Sequence, residues 1–467
     1  AALDAASPYT QRDLSGNQVK DGFQRYQAGV GFGGALRKDR TFYYVNAEYT
    51  RDIKDNLLNS PALGVNETVR GENNFTYLSA KIDHRWSARF RSALRTNVGT
   101  VNIGRQAGGL SGGIAFPSAA NFQDRNSVLI ASQNTYIGER FKSETNLQYG
   151  RFRWNYGRAV DANAPQVLVL DKDEQPAAVL GHPGYIFDET ENTLQGQQKF
   201  SWYTRRHTFK TGVEIISADH QLLGGGNVNG NYTVKLTDAQ QNALRTRGAD
   251  LNYSDLPADV QVLSYNVELR PAAFGARQNI FSAYAEDVFS LNSRLNLTAG
   301  LRYDVDNLSK GGSNRADLNN IAPRLSFNYK INAMSSLRGG YGIFYDKISY
   351  AVYSDALQQN TTAPDYKRQL QALIDKGILP RETDLNKITF DGNLSAFASN
   401  VAYLAGPSFA QLQGERANAF SNERRILNPN GYQNPYSHQF SLGYQHQLDE
   451  KRLFYIDVVY NRSEQLF

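Results

Sequence analysis

The chain of 467 residues contains no cysteine and a single methionine, Met334. Without thiols there is no disulfide framework, no thiolate metal site and no cysteine nucleophile. Charge of one sign is also scarce. Fifty Lys+Arg stand against 45 Asp+Glu, a formal net charge of +5, whereas a nucleic-acid surface needs a clustered basic face. No apolar run reaches the roughly 18 residues of a membrane-spanning helix. That leaves a membrane β-barrel open, because its strands need only alternate.

The opening residues carry neither a start methionine nor the basic-then-apolar pattern of an export signal, and 460–467 stop without a turn cluster. The sequence therefore reads as part of a longer protein. What it has in quantity is aromatic residues, 28 Tyr and 24 Phe, with 39 Gly. About fourteen segments show the period-two alternation of β-strands. They are paired by short gaps at 37–40, 87–89, 139–142, 205–207, 292–294, 332–335 and 449–451. Between pairs lie long polar connections at 52–73, 101–127, 158–192, 223–276, 306–320 and 348–434. Long loops on every second connection are uncommon in soluble domains, but short turns on one rim and long loops on the other belong to a transmembrane barrel.

The faces agree with this. Leu295, Leu297, Ala299, Leu301 and Tyr303 alternate with Asn296, Thr298, Gly300, Arg302 and Asp304. The same split recurs at 324–331, 337–346, 439–448 and 454–461, while 280–288 fits neither phase cleanly. Tyr303, Tyr329, Tyr345 and Tyr460 end apolar faces, where an interfacial girdle belongs. A soluble sandwich would also alternate, but Arg302, Arg338 and Asp457 on the opposite face suit a wet lumen. On this reading Ala299→Arg impairs assembly and Thr298→Arg does not.

Specific stretches then resemble a known family. Gly33-Gly34-Ala35-Leu36-Arg37-Lys38-Asp39-Arg40-Thr41-Phe42-Tyr43-Tyr44 through Glu48 resembles the hairpin near the start of the barrel in Oar-like TonB-dependent receptors, and Ala2-Leu3-Asp4-Ala5 a short motif just upstream. Tyr284-Ala285-Glu286-Asp287 with Gly300-Leu301-Arg302-Tyr303-Asp304 is similar to a mid-barrel hairpin of TonB-dependent receptors generally. So are Ala322-Pro323-Arg324, 338–346 and Asn434-Pro435-Tyr436. The matches run in order along nearly the whole chain. The resemblance implies a barrel of about 22 strands, a size that goes with a plugged lumen, of which about 14 are visible here. It also implies a plug and a TonB-interacting segment before residue 1.

Other constellations carry less. Gly29, Gly31 and Gly34 satisfy G-x-G-x-x-G, but aromatics and a turn follow where a helix should open, so they read as strand glycines that let a barrel curve or a plug approach. Asp304, Asp306 and Asn307, and separately Asp171, Asp173 and Glu174, offer oxygens to a loop calcium without EF-hand spacing. The six histidines are scattered, and no nucleophile elbow is present, so no enzyme is expected. Segments 237–247, capped by Thr237 or Asp238, and 365–376 read as short helices inside long loops.

The sequence is thus read as all-β: a partial transmembrane antiparallel β-barrel with long extracellular loops, in a Gram-negative outer membrane. Residues 1–25 form a loop segment after a missing first strand and 26–467 the barrel. Arg302, Asp304, Arg324, Arg338 and Asp346 are lumen-facing candidates for plug or substrate contact, with no catalytic and no metal site. The partners are outer-membrane lipid, a TonB-type energising complex, and an unidentified substrate or surface partner. The function is transport of a bulky substrate through a plugged barrel. The rivals are a structural or adhesive protein whose loops bind partners, and an open porin.

Overall fold

The computed structural model describes residues 23–105, 107–108, 112–162, 164–183, 185–226, 231–266, 274–350, 428 and 430–466. The strands are β1 (Gln24–Arg37), β2 (Thr41–Ser60), β3 (Val65–Arg85), β4 (Phe90–Arg105), β5 (Asn121–Ile137), β6 (Phe141–Ala159), β7 (Gln166–Leu170), β8 (Pro176–Gly181), β9 (Tyr185–Tyr203), β10 (His207–Gly226), β11 (Asn231–Lys235), β12 (Gln261–Asn266), β13 (Phe274–Ser290), β14 (Leu295–Asp306), β15 (Ile321–Lys330), β16 (Ser335–Tyr345), β17 (Tyr436–Gln447) and β18 (Leu453–Glu464). One helix, α1 (Asp238–Leu244), lies between β11 and β12. Fourteen strands form one sheet in the order β1-β2-β3-β4-β5-β6-β9-β10-β13-β14-β15-β16-β17-β18. Every neighbouring pair is antiparallel. The other four strands make a smaller sheet, β12-β11-β7-β8.

All seven short connections fall between paired strands, as the spacing predicts. The long connections need correction at their bounds. Residues 52–60 and 65–73, assigned to a loop by the sequence, continue β2 and β3, with Asp52 paired to Asn73 and Ser60 to Val65. The true connection is a four-residue turn, 61–64. Four of the other five connections narrow in the same way, to 106–120, 160–184, 227–273 and 307–320, and most of 348–434 lies outside the described residues. The physical reason is depth. A membrane strand needs about 9–11 residues, yet β2 has 20 residues and β3 has 21. The surplus projects into water, where neither face must be apolar and the alternation that marks a strand is lost.

The outward face shows where that happens. On β3, Leu78 and Ile82 are exposed, and on β14, Leu297 and Leu301. Exposed apolar side chains on one face of a sheet are what hydrocarbon covers. Further from the short turns the same face becomes ionic: Arg70 Nε donates to Asp55 at 2.9 Å, Arg51 pairs with Glu72, and Arg153 pairs with Asp188 at 2.8 Å. On β9 the outward stretch from Leu194 to Trp202, apolar but for Gln198, lies between Asn192 and the turn. It is about ten residues long, which at a tilt near 40° spans about 25 Å of bilayer. Near the short turns Phe141, Phe200 and Trp202 cluster with centroids 5.4–5.9 Å apart, forming an aromatic girdle. The uncertain phase of 280–288 has a local cause: Asp287 points outward and Ile280 inward within an otherwise regular β13.

The main hydrophobic core lies outside the membrane. Leu58, Leu63 and Val65 from the β2–β3 tip, Phe116 from the β4–β5 connection, Val167, Val169 and Leu180 from β7–β8, and Val234, Leu244, Leu251 and Val260 from 231–266 pack as one cluster. Four connections thus fold together as a cap. The expected helix is present, shorter at its end: α1 begins after Thr237, whose hydroxyl accepts from Gln240 N while Gln240 Oε1 accepts from Thr237 N. This is a capping box. Gln241 and Arg245 then both donate to the Ala62 carbonyl, at 2.9 and 3.1 Å, pinning the β2–β3 turn to the cap. The second expected helix, 365–376, and nearly all of 1–25 lie outside the described residues.

Candidate functional site: the inner wall

Because direct cross-strand partners share a face, the register lays out the inner wall. One row runs Lys210, Glu286, Gly300, Arg324 and Gly342, and another Glu214, Ser282 and Asp304. Arg302 stands between them. Its guanidinium lies 2.9 Å from Asp304 and 3.5 Å from Glu214, and all three side chains are no more than a quarter exposed. Ser282 Oγ donates to Asp304 Oδ1 at 2.6 Å, and Lys210 Nζ to Glu286 at 2.9 Å. Arg324 stacks its guanidinium 4.3 Å over the Phe344 ring, and its buried Nε has no acceptor.

Arg338 belongs to a separate patch. It reaches across β17 to Asp457 on β18, with both carboxylate oxygens at 2.9 Å. The residue between them is Gly443, where a Cβ would collide with the Asp457 carboxylate and sit 2.9 Å from Arg338 Nε. Asp346 lies beyond the end of β16 at the outer rim, exposed, and accepts from Lys347 N at 2.8 Å. Of the five candidates, therefore, Arg302, Asp304 and Arg324 share one region and the other two stand apart.

The sequence reading missed an amide belt. Gln133, Asn146, Gln148, Gln195 and Gln197 line a cleft of about 330 Å³ with Lys81 and Arg95. Asn146 donates to Gln197 at 3.1 Å, and Gln195 donates to Glu214 at 2.6 Å, joining the belt to the Arg302 cluster. The signal was available, since Gln195 and Gln197 alternate with Leu194 and Gly196. The glycine run of β1 has a local role here: Gly31 and Gly33 face the same wall, and a Cβ on them would lie 2.9 Å from Tyr44 Oη and 2.6 Å from the Tyr43 carbonyl oxygen.

Of the groups offered for calcium, Asp306 accepts from Leu308 N, Ile348 N and Gln278 Nε2 at 2.7–2.9 Å. Asp171 Oδ1 accepts from Asp173 N and Gln175 N, both at 2.9 Å, and Glu174 pairs with Lys235 at 2.8 Å. These carboxylates are engaged by donors of the protein itself, Asp171 within its own turn and Asp306 and Glu174 across to other segments. Among the described residues no three His, Cys, Asp or Glu converge as ligands. In the cap, His182 is buried, and burial pulls its pKa down to about 4.

An outward apolar belt, an inner polar wall, seven short turns and a capped outer mouth define an outer-membrane barrel. The sequence model described as outer membrane beta barrel domain matches residues 56–316 and 306–467, and the chain belongs to that family. Its fold is similar to the outer membrane transporter YddB of Escherichia coli, at 13% identity and a TM-score of 0.59, covering 97% of this chain and 48% of that one. It is also similar to a mutant of the ferric enterobactin receptor PfeA of Pseudomonas aeruginosa, at 12% identity and 0.52, covering 94% and 50%. The ferric yersiniabactin uptake receptor FyuA of Yersinia pestis gives 8% and 0.52, covering 94% and 52%. The chain spans about half the length of these structures. No curated protein sequence matches it.

Proposed function

We propose that this chain is barrel wall and cap of an Oar-like TonB-dependent receptor, which moves a bulky substrate across the outer membrane through a plugged lumen. The energy comes from a TonB-type complex acting through a region N-terminal to this chain. The carrying observation is the inner wall, a connected network of amides and ion pairs running from Gln148 through Gln195 and Glu214 to Arg302. Such a wall exchanges hydrogen bonds with a polar plug or substrate without covalent chemistry. Arg324, whose guanidinium lies over the Phe344 ring on the inner wall, is the foremost contact candidate, and no residue of the wall is given a catalytic role. Any calcium in the 171–174 or 304–307 turns would be structural.

The test uses the full-length protein. Uptake is followed with and without deletion of the N-terminal TonB-contacting segment, alongside planar-bilayer conductance. Transport by a plugged barrel requires loss of uptake on deletion and closed bilayers before it. Steady open conductance in the intact protein would instead identify a diffusion porin. The folded cap favours a second reading, a surface protein whose loops bind partners; unchanged uptake after the deletion, with cell-surface binding that depends on the cap, would establish it.

A further inference from the structure

The outward wall near the short turns mixes aromatic and apolar side chains with neutral polar ones such as Ser143, Thr145 and Gln198, and on one segment it also carries a carboxylate. Thr211, Ala285 and Ala299 are short side chains set among the taller Phe209, Leu301 and Leu325, and they leave an open trough of about 470 Å³. Asp287 stands in this trough, cross-strand partner of both Phe209 and Ala299. A carboxylate at the edge of hydrocarbon is costly unless matched, and this one is matched on one side only. Its Oδ2 lies 2.8 Å from His207 Nδ1, while its buried Oδ1 makes no hydrogen bond. The imidazole is itself held in place by its faces, stacked on Phe209 at 5.3 Å and on Phe289 at 4.5 Å.

The turns beneath the trough are cationic. Arg206, whose carbonyl accepts from Ser290 N at 2.7 Å, sits at the foot of β13. Arg294, whose carbonyl accepts from Lys330 N at 2.7 Å, sits at the foot of β15. Both are exposed, and neither is ion-paired among the described residues. Arginine stems are long enough to run up an apolar surface from a turn to headgroup level.

We infer that this trough is a binding site for a phospholipid of the periplasmic leaflet whose headgroup carries a primary ammonium, of the phosphatidylethanolamine class. The ammonium meets the Asp287 carboxylate, whose Oδ1 turns from its buried position into the trough on binding, the phosphate meets Arg206 or Arg294, and an acyl chain lies along Ala285 and Ala299. The phosphate and ammonium of such a headgroup lie at nearly one depth, which suits a carboxylate three residues from the strand end with arginines reaching up to it. Phosphatidylglycerol lacks the ammonium, and a choline headgroup cannot donate a hydrogen bond to the carboxylate. The site rests on the membrane assignment and is independent of any transport activity.

The full-length protein, delipidated in mild detergent, is titrated with phosphatidylethanolamine, phosphatidylglycerol and phosphatidylcholine and read by native mass spectrometry. One phosphatidylethanolamine should be retained about fivefold more strongly than either of the others, the scale of one partly exposed charge pair. Asp287→Asn should remove this preference, and Ala285→Phe, which fills the trough, should remove retention of all three. Equal retention of the three lipids by the parent overturns the inference, and this arm needs no variant to fold. An undiminished preference in an assembled Asp287→Asn variant overturns it as well.

Discussion

Adjacent residues on opposite faces of β4 give a sharp test of the wall. Leu94 points outward, about half exposed, five residues above the 86–89 turn and so close to mid-membrane; Ala93 points inward opposite Asp83. Leu94→Arg loses the transfer energy of a leucine, about 1.5–3 kcal/mol, and sets a cation in hydrocarbon at about 2–4 kcal/mol. The sum, about 4–7 kcal/mol, is comparable with the whole stability of many domains. Ala93→Arg introduces the same cation beside a carboxylate in a wet lumen and should be close to neutral. Both variants are made in the full-length protein. Assembly is read by heat-modifiable mobility in gels, and stability by urea unfolding from vesicles. Equal effects at the two positions would refute the assignment of faces. Ala299→Arg, the substitution that alternation alone picks out, is a weaker test, because Asp287 stands directly across the strand pair and would meet the new cation.

Three further outcomes follow from single sites. Gly443→Ala should break the Arg338–Asp457 pair, leaving assembly intact but lowering the urea midpoint, and an Asp457→Asn background should absorb most of the effect in a double-mutant cycle. Phe116→Ala should empty the centre of the cap, at a cost of about 3–5 kcal/mol, and raise hydrogen exchange in 166–181 and 231–266 while exchange in the membrane strands stays the same. Lowering the pH should loosen the cap. His182 titrates at about 4 when folded and at about 6.5 when exposed, so the unfolded cap binds the proton first. Its stabilisation is complete above about 6.5 and is lost between about 6.5 and 4, by up to roughly 3 kcal/mol. Protection factors in 176–183, taken relative to the intrinsic exchange rate at each pH, should fall between pH 7.5 and 5, and a flat profile would show that His182 is not the sensor.

The parts legible in sequence are those where the solvent differs across the sheet. Within the bilayer one face meets hydrocarbon and the other water, so alternation at Leu295–Tyr303 and its counterparts marks strands, turns and phase. Above the bilayer both faces are wet. The arms Asp52–Ser60 and Val65–Asn73 therefore carry Arg, Asp and Glu on either side and resemble loops, although they are fully paired. The cap was legible only through local signals such as Thr237 and its box, because Leu58, Phe116, Val167 and Leu251 meet through contacts across up to about 190 residues of chain. On the inner wall the charged candidates were visible in the alternation. What each touches depends on register, which is why the Glu214–Arg302 pairing and the slot at Gly443 were not.

The placement of the apolar core also bears on how the two halves of the molecule respond to perturbation. The membrane wall gains its stability from lipid and from an uninterrupted ladder of strand pairing, and its inner face is mainly polar. The cap has a water-soluble type of core of its own, with Leu58, Phe116, Val167 and Leu180 all essentially inaccessible. It is fastened to the wall through the β2–β3 arms: Ser60 donates to the Ala177 carbonyl at 2.7 Å, and Asn59 N to the Gly113 carbonyl at 2.9 Å. These bonds, with those to Ala62, hold loops from three other connections to one hairpin tip. A change that melts the cap therefore frees several loops together and leaves the strands paired, since no membrane strand relies on the cap core for its register. On the proposed transport function, that separation would let the outer mouth change shape while the strands stay paired.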